Sequence, residues 1–322
     1  MKAVALARLL ASCILLGACA GAGAAPKAGA EHGVEHGAEA IAVLFPDIGA
    51  PYRQVFNEII DGITEQSKLG VHSYPVGAVA DADLPATLKR NGGKVVIALG
   101  RQGLKAAAGI DTSLTLVVGG VSSVPDAEKM NGISLTPDPA LLFGLLKNLL
   151  PEVRRVIVVY NPQYNEPLLK LAREAARAQG LELQALEARD LAGAVRQYEA
   201  ALASADARHD ALWLPQDATT VDENTILPLV LKQSWNRNLA IFSSSFLHVK
   251  KGALFALYPN NVELGRNLAR LAAGLLAGEA PKRGVTPLRD VRSALNLRTA
   301  SHLGLAVGAG RQRTFDFLFQ EP

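Results

Sequence analysis

From residue 41 the chain alternates short, continuous apolar runs with longer segments whose apolar residues recur at helical spacing. Ile41-Ala42-Val43-Leu44-Phe45 is the first such run, and Pro46 closes it. A run without polar alternation is what a strand covered on both faces requires. Residues 52–65 follow, with Val55, Ile59, Ile60 and Ile63 on one helical face. Residues 71–74 predict a second strand and 84–90 a short helix. Residues 94–99 predict another buried strand stopped by Gly100, then a helix over 103–108 and a strand over 115–118. Strands alternating with helices in this way predict a parallel sheet with helices on both faces.

After Asn131-Gly132 the pattern starts again. Helices are predicted over residues 141–150, 167–179, 191–203 and 226–235, and strands over 153–160, 181–186, 211–214 and 240–242. The chain therefore reads as two Rossmann-like α/β lobes in series. A strand over 253–258 and a helix over 262–276 have no second unit of their own, so they are expected to return to the first lobe. The expected division is residues 39–132 with 256–290 as an N-terminal lobe and 133–255 as a C-terminal lobe. Residues 291–322 form a last segment that fits either lobe, with Phe315, Phe317 and Phe319 alternating as in an edge strand. A chain that crosses between lobes more than once makes a hinge, and the cleft at that hinge is the default ligand site.

The start of the chain has a different character. Lys2 and Arg8 precede an apolar run over residues 9–16, too short for a permanent membrane span, so residues 1–18 read as an export signal. Leu16-Gly17-Ala18-Cys19 looks like a bacterial lipobox, which would make Cys19 the lipidated first residue of the mature protein. Ordinary signal cleavage within residues 22–25 is the alternative. Residues 19–38 have a tether's composition, and about twenty such residues reach roughly 25 Å on average. His32 and His36 lie in this segment between glycines and without further ligands, so no metal site is expected there.

Composition narrows the function classes. Without Lys2 and Arg8 the chain has 31 basic and 30 acidic residues, which gives none of the basic excess of a nucleic-acid binder. Cys13 lies in the export segment, so Cys19 is the one cysteine of the mature chain and no internal disulfide can form. Hydrophobic residues make up 49% but aromatic ones only 5%, so the core is aliphatic.

In open parallel sheets ligands bind beyond the carboxyl ends of the strands. Those ends carry Asp47, then Gly100, Arg101 and Gln102, then Ser122 and Ser123. In the second lobe they carry Asn161, Gln163 and Asp217, with Ser243 and Ser244 after the last strand. Taken singly these residues cap helices, but together over both units they predict a polar cleft. Helices starting after Gly100 and Asn161 suit an anionic group, and Asp217 suits an ammonium. Catalytic signatures do not accompany them: the chain has no G-x-S-x-G, phosphate loop, H-E-x-x-H or dinucleotide G-x-G-x-x-G. His248 is the one histidine near the serine run, in a segment that reads as a turn or strand without an acid partner. No enzymatic activity, cofactor or metal is expected.

Ala98-Leu99-Gly100, Asn131-Gly132-Ile133-Ser134, Tyr160-Asn161-Pro162 and Leu214-Pro215-Gln216-Asp217 are followed along the chain by Lys250-Lys251-Gly252-Ala253-Leu254, Glu263-Leu264-Gly265-Arg266 and Ala294-Leu295-Asn296-Leu297. In these stretches the chain resembles substrate-binding lipoproteins of ABC importers related to tryptophan- and tyrosine-binding components. The resemblance implies a type I periplasmic-binding fold with ligand contacts at Gly100, Arg101, Gln102, Ser122, Asn165, Asp217 and Ser243. It implies a monomer in the periplasm or cell envelope, anchored through Cys19, that delivers a small polar, amino-acid-like ligand to a separate permease and ATPase. The loop Gln163-Tyr164-Asn165-Glu166-Pro167 departs from the family's Ser-Glu-x-Asn-Ser, and residues 312–322 do not match. A binding module of the same fold, sensing a ligand or serving envelope assembly without transport, is the alternative.

Overall fold

Side chains of opposite parity along each buried strand enter two different cores, because helices cover both faces of each sheet. The computed structural model describes residues 39–50, 52–77, 83–111, 113–122, 127–281 and 283–320, all within one compact unit. The expected export signal, Cys19 and the tether lie outside the described residues.

The first lobe begins with β1 (Ala40–Pro46), α1 (Tyr52–Gln66), β2 (Gly70–Val76), α2 (Leu84–Arg90) and β3 (Gly93–Leu99). It continues with α3 (Gly100–Ala107), β4 (Thr115–Gly119) and β5 (Asn131–Pro137). Ile41, Val43, Val95 and Ile97 pack against α1, while Ala42, Leu44, Val96 and Ala98 pack against α2 and α3. This alternation explains why the strand sequences are apolar without interruption.

The second lobe contains α4 (Pro139–Leu149), β6 (Arg155–Tyr160), α5 (Pro162–Ala178), β7 (Glu182–Glu187), α6 (Leu191–Ser204) and β8 (Asp210–Leu214). Next come α7 (Ile226–Arg237), β9 (Ala240–Ser243), α8 (Phe246–Lys251) and β10 (Phe255–Pro259). The chain then returns to the first lobe for α9 (Asn261–Leu276) and β11 (Gly284–Leu288). It ends in the second with β12 (Val291–Asn296), α10 (Leu297–His302), α11 (Ala309–Gln312) and β13 (Phe317–Phe319).

The first sheet has the order β11-β5-β4-β3-β1-β2 and is parallel throughout. The second has the order β13-β12-β10-β9-β8-β6-β7, parallel except where β12 runs against β10. The observed lobe boundaries differ from the expected ones. Strand β5 stays in the first sheet through Pro137, and β10 pairs with β9 and β12 in the second sheet. The final segment, including β13 beside β12, also belongs to the second lobe. An apolar strand suits either sheet equally; pairing alone assigns it.

Helix α9 is attached to the first lobe by an unusually close approach. A Cβ added at Gly265 would lie 2.0 Å from the Ile59 carbonyl oxygen, and one at Gly62 would lie 2.0 Å from that of Val262. The two helices therefore meet backbone to backbone, which only glycine permits.

The chain crosses between the lobes at Asp138, at Asn260 and at Arg289-Asp290. These crossings are tied together. The Asp138 N–H donates to the Leu288 carbonyl at 2.8 Å, and the Asn260 N–H to that of Asp290 at 3.2 Å. The Asp138 carboxylate caps α4 at Ala140 N and pairs with Arg289 at 2.5 Å.

Candidate functional site

The carboxyl end of β3 turns sharply into α3 at Gly100, whose φ of +67° lies in the left-handed region. A Cβ there would also come within 2.9 Å of Pro46 Cγ and 3.2 Å of Phe56 Cζ. Gly100 is thus required by the turn itself, whatever its backbone offers a ligand. The turn sends Arg101 outward, and its guanidinium carbon lies 5.7 Å from the centre of the Tyr164 ring. Tyr164 stands in the first turn of α5, so this contact joins the two lobes across the cleft. The Gln102 Oε1 is buried and has no hydrogen-bond partner.

Beside that contact both lobes line a cavity of about 60 Å³. The first lobe contributes Val121, Ser122, Ser134, Thr136, Val285 and Pro287. The second contributes Tyr164, Pro167, Leu168 and Leu171, all on α5. The Ser134 hydroxyl donates to the Val121 carbonyl at 3.1 Å, and that of Thr136 to Ser122 at 3.4 Å. Of the residues expected in the site, Ser122 lines this cavity and Arg101 stands at its edge. Ser123 lies outside the described residues.

Asp217 is placed differently from the sequence expectation. One carboxylate oxygen accepts from the Asn161 N–H and the Asn165 amide, both at 2.8 Å. The other accepts from the Thr219 N–H at 2.9 Å and the Thr220 N–H at 3.3 Å. A carboxylate offers about four acceptor positions, so none remains for a ligand ammonium. Asp217, Asn161 and Asn165 are all buried. Asn161 also caps α5 through Gln163 N, at 3.0 Å. These residues bind the start of α5 to the loop after β8 and hold Tyr164 toward the cleft from behind. Gln163 itself is exposed.

Ser243 and Ser244 are fully buried. Ser243 Oγ lies 3.1 Å from the Leu214 carbonyl and 2.7 Å from His248 Nδ1, and it accepts from Ser245 N–H. Ser244 Oγ accepts from the Trp213 indole at 3.3 Å. Both serines are therefore part of the second lobe's interior. His248 stands on α8, a helix where a turn or strand was expected. Burial pushes its imidazole down to about 4; the Glu223 charge opposes that shift and Lys251 adds to it. Asp47 pairs with Arg53 at 2.5 Å on the exposed rim, and Glu166 pairs with Arg173 at 2.9 Å. Among the described residues no three His, Cys, Asp or Glu side chains come together as for a metal.

The sequence reading missed Tyr164, Ser134, Thr136, the apolar face of α5 and both β11 residues. Tyr164 is the one with a visible signal, a large aromatic in the first turn of a helix that starts at a strand end, and it is 40% exposed. The rest meet only because β5, β11 and α5 converge.

Residues 121–308 match the family model for ABC transporter substrate binding proteins, more than half of the chain. The chain belongs to that family. Its members are binding proteins rather than enzymes, and a solute-binding role follows from membership. A substrate-binding protein with adhesive properties from Clostridium difficile, in its ligand-free open form, shares 16% identity and a TM-score of 0.63. The alignment covers 88% of this chain and 100% of that one. An ABC domain from Streptococcus pneumoniae in complex with L-Trp shares 18% identity over 87% of this chain and 99% of its own, with a TM-score of 0.58. A conserved domain protein from Vibrio cholerae has 17% identity and a TM-score of 0.56, with 87% and 99% covered. At these identities the likeness shows a shared fold, the two-lobed type I periplasmic-binding architecture. No curated protein matches the chain.

Proposed function

We propose that the protein is the solute-binding component of an ABC importer, which closes its lobes on a small ligand and presents the closed form to a separate permease and ATPase. It works as a monomer, is exported by residues 1–18, and is held at the cell envelope by a lipid on Cys19. The observation that carries this reading is the cavity whose walls come from both lobes, since a ligand there would be enclosed only when the lobes approach. The family match supports it. An amino acid is a less favoured ligand than the sequence suggested, because Asp217 has no acceptor position left for the ammonium.

The test is a thermal-shift screen of the mature, unlipidated protein against small metabolites, followed by solution X-ray scattering with each hit. A ligand at a hundred times its Kd adds about 2.7 kcal/mol of stability, and closure lowers the radius of gyration. If no compound both stabilises and compacts the protein, the receptor reading fails. A binding module without transport is the second reading. It draws on the aromatic cluster of Phe246, Tyr258, Phe317 and Phe319 at the sheet edge, where Phe317 is 43% exposed. Capture of an envelope protein by wild type but not by Phe317→Ser would favour that module.

A further inference from the structure

The first crossing between the lobes is stiffened by its own sequence, because Asp138 stands between Pro137 and Pro139. Each proline ring fixes its own φ and keeps the residue before it extended. Asp138 accordingly has φ -59° and ψ 122°. The second crossing also carries a proline, Pro259 ahead of Asn260. The third, Leu288-Arg289-Asp290-Val291, carries none, so its backbone is the freest of the three to rotate.

Bonds to the other two crossings set its position. The Asp290 carbonyl accepts the Asn260 N–H at 3.2 Å, and its carboxylate accepts the Asn267 amide of α9 at 2.5 Å. Arg289 reaches the first crossing through the Asp138 carboxylate, at 2.5 Å. That carboxylate serves both lobes at once. One oxygen caps α4 of the second lobe, and the other holds the crossing that leaves β11 of the first.

The pair is placed where it can open. The Arg289 side chain is 64% exposed and borders a pocket of about 570 Å³ beside the crossings, so its guanidinium has space to swing away. An ion pair so exposed is weak, which suits a contact that breaks and re-forms. It also lies close to the cleft. Thr136 and Pro287 line the inter-lobe cavity, and each is two residues from a member of the pair. Motion of the cavity wall therefore reaches Asp138 and Arg289 through one short extended step at the end of β5 or β11.

We propose that the Asp138–Arg289 pair is the latch of the hinge. Made, it fixes the third crossing to the proline-flanked first one and keeps the lobes close enough for Arg101 to reach Tyr164. Broken, it frees that crossing to rotate and the lobes to separate. The latch rests on the receptor reading in one respect, that the lobes move.

Double electron–electron resonance tests the latch without any ligand. Spin labels are placed at Lys105→Cys on α3 and Arg177→Cys on α5, exposed positions in different lobes, in the mature unlipidated protein carrying Cys19→Ser. Arg289→Gln is expected to raise the ratio of separated to approached forms by about two- to fivefold, the effect of one exposed pair. Asp138→Asn keeps a capping oxygen for α4 and should give the same shift. The double variant should match either single one, since each alone already breaks the pair. Arg289→Lys keeps the charge and should stay near wild type. Unchanged distances in Arg289→Gln, a shift in one single variant alone, or additive shifts in the double variant overturn the latch. So does a lowered unfolding temperature with unchanged distances, which would leave the pair a purely structural contact. The receptor reading survives each of these results, because binding and compaction in the broad screen decide it. Inter-lobe distances that neither a variant nor any ligand of the screen alters would overturn both.

Discussion

The Arg101 guanidinium carbon lies 5.7 Å from the centre of the Tyr164 ring, and the two residues belong to different lobes. A cation over a ring at such a partly exposed site stabilises by about 0.5–1 kcal/mol. In a two-lobed receptor this energy appears only when the lobes are close, so it biases the ligand-free protein toward closure.

Replacing Tyr164 by Ala removes that bias and one wall of the cavity together. The ligand-free variant is expected to show a larger radius of gyration in solution scattering, and its ligand affinity should fall. Tyr164→Phe keeps the ring and should behave as wild type in the scattering experiment. Identical scattering from all three proteins would mean that the contact has no part in setting the resting state.

Asp217 should matter to stability before it matters to binding. Four donors, two of them from residues more than fifty positions earlier in the chain, converge on its carboxylate in a buried setting. Asp217→Ala leaves those donors unsatisfied and is expected to lower the unfolding free energy by about 3 kcal/mol in urea titrations without ligand. Asp217→Asn should also destabilise, because an amide places a donor against donors. Unchanged unfolding combined with lost binding would instead return Asp217 to the ligand site.

The crossing of α1 and α9 depends on two absent methyl groups. In an open helix Gly→Ala is favourable by about 1 kcal/mol. At Gly265 the added carbon would meet a backbone oxygen at 2.0 Å, which cannot move without the helix. Gly265→Ala and Gly62→Ala are therefore each expected to cost about 2–3 kcal/mol. Faster amide exchange confined to α1 and α9 would locate the loss there. Exchange unaltered in both helices would contradict so tight a crossing.

His248 gives the second lobe a sensitivity to acid. Burial lowers its imidazole to about 4 in the folded protein, from 6.5 when unfolded, with Glu223 favouring the charged form and Lys251 opposing it. The unfolded chain then binds the proton first as pH falls. The stabilisation is fully present above about 6.5 and is lost as pH drops toward about 4, by about 3 kcal/mol in all. His248→Asn should flatten this stretch of the stability–pH profile. A profile of the same slope in wild type and variant would show that other groups set the acid response.

Much of the architecture was already determined by the sequence. Uninterrupted runs such as Ile41-Ala42-Val43-Leu44 can be buried only in a sheet covered on both faces, and their alternation with amphipathic helices dictates parallel α/β lobes. The polar strand ends and the absent catalytic signatures were equally legible, because both are local. Lobe membership was not: β10 and β12 are apolar enough for either sheet, and hydrogen bonding to β9 decides the matter. The tertiary structure also divided the polar residues between roles. Asp217, Ser243 and Ser244 are held inside the second lobe by partners that local spacing does not reveal. The cavity, in turn, exists only where β5, β11 and α5 meet. A hydrogen-bonding group has one chemistry in the sequence, and its function depends on which partners the fold brings within reach.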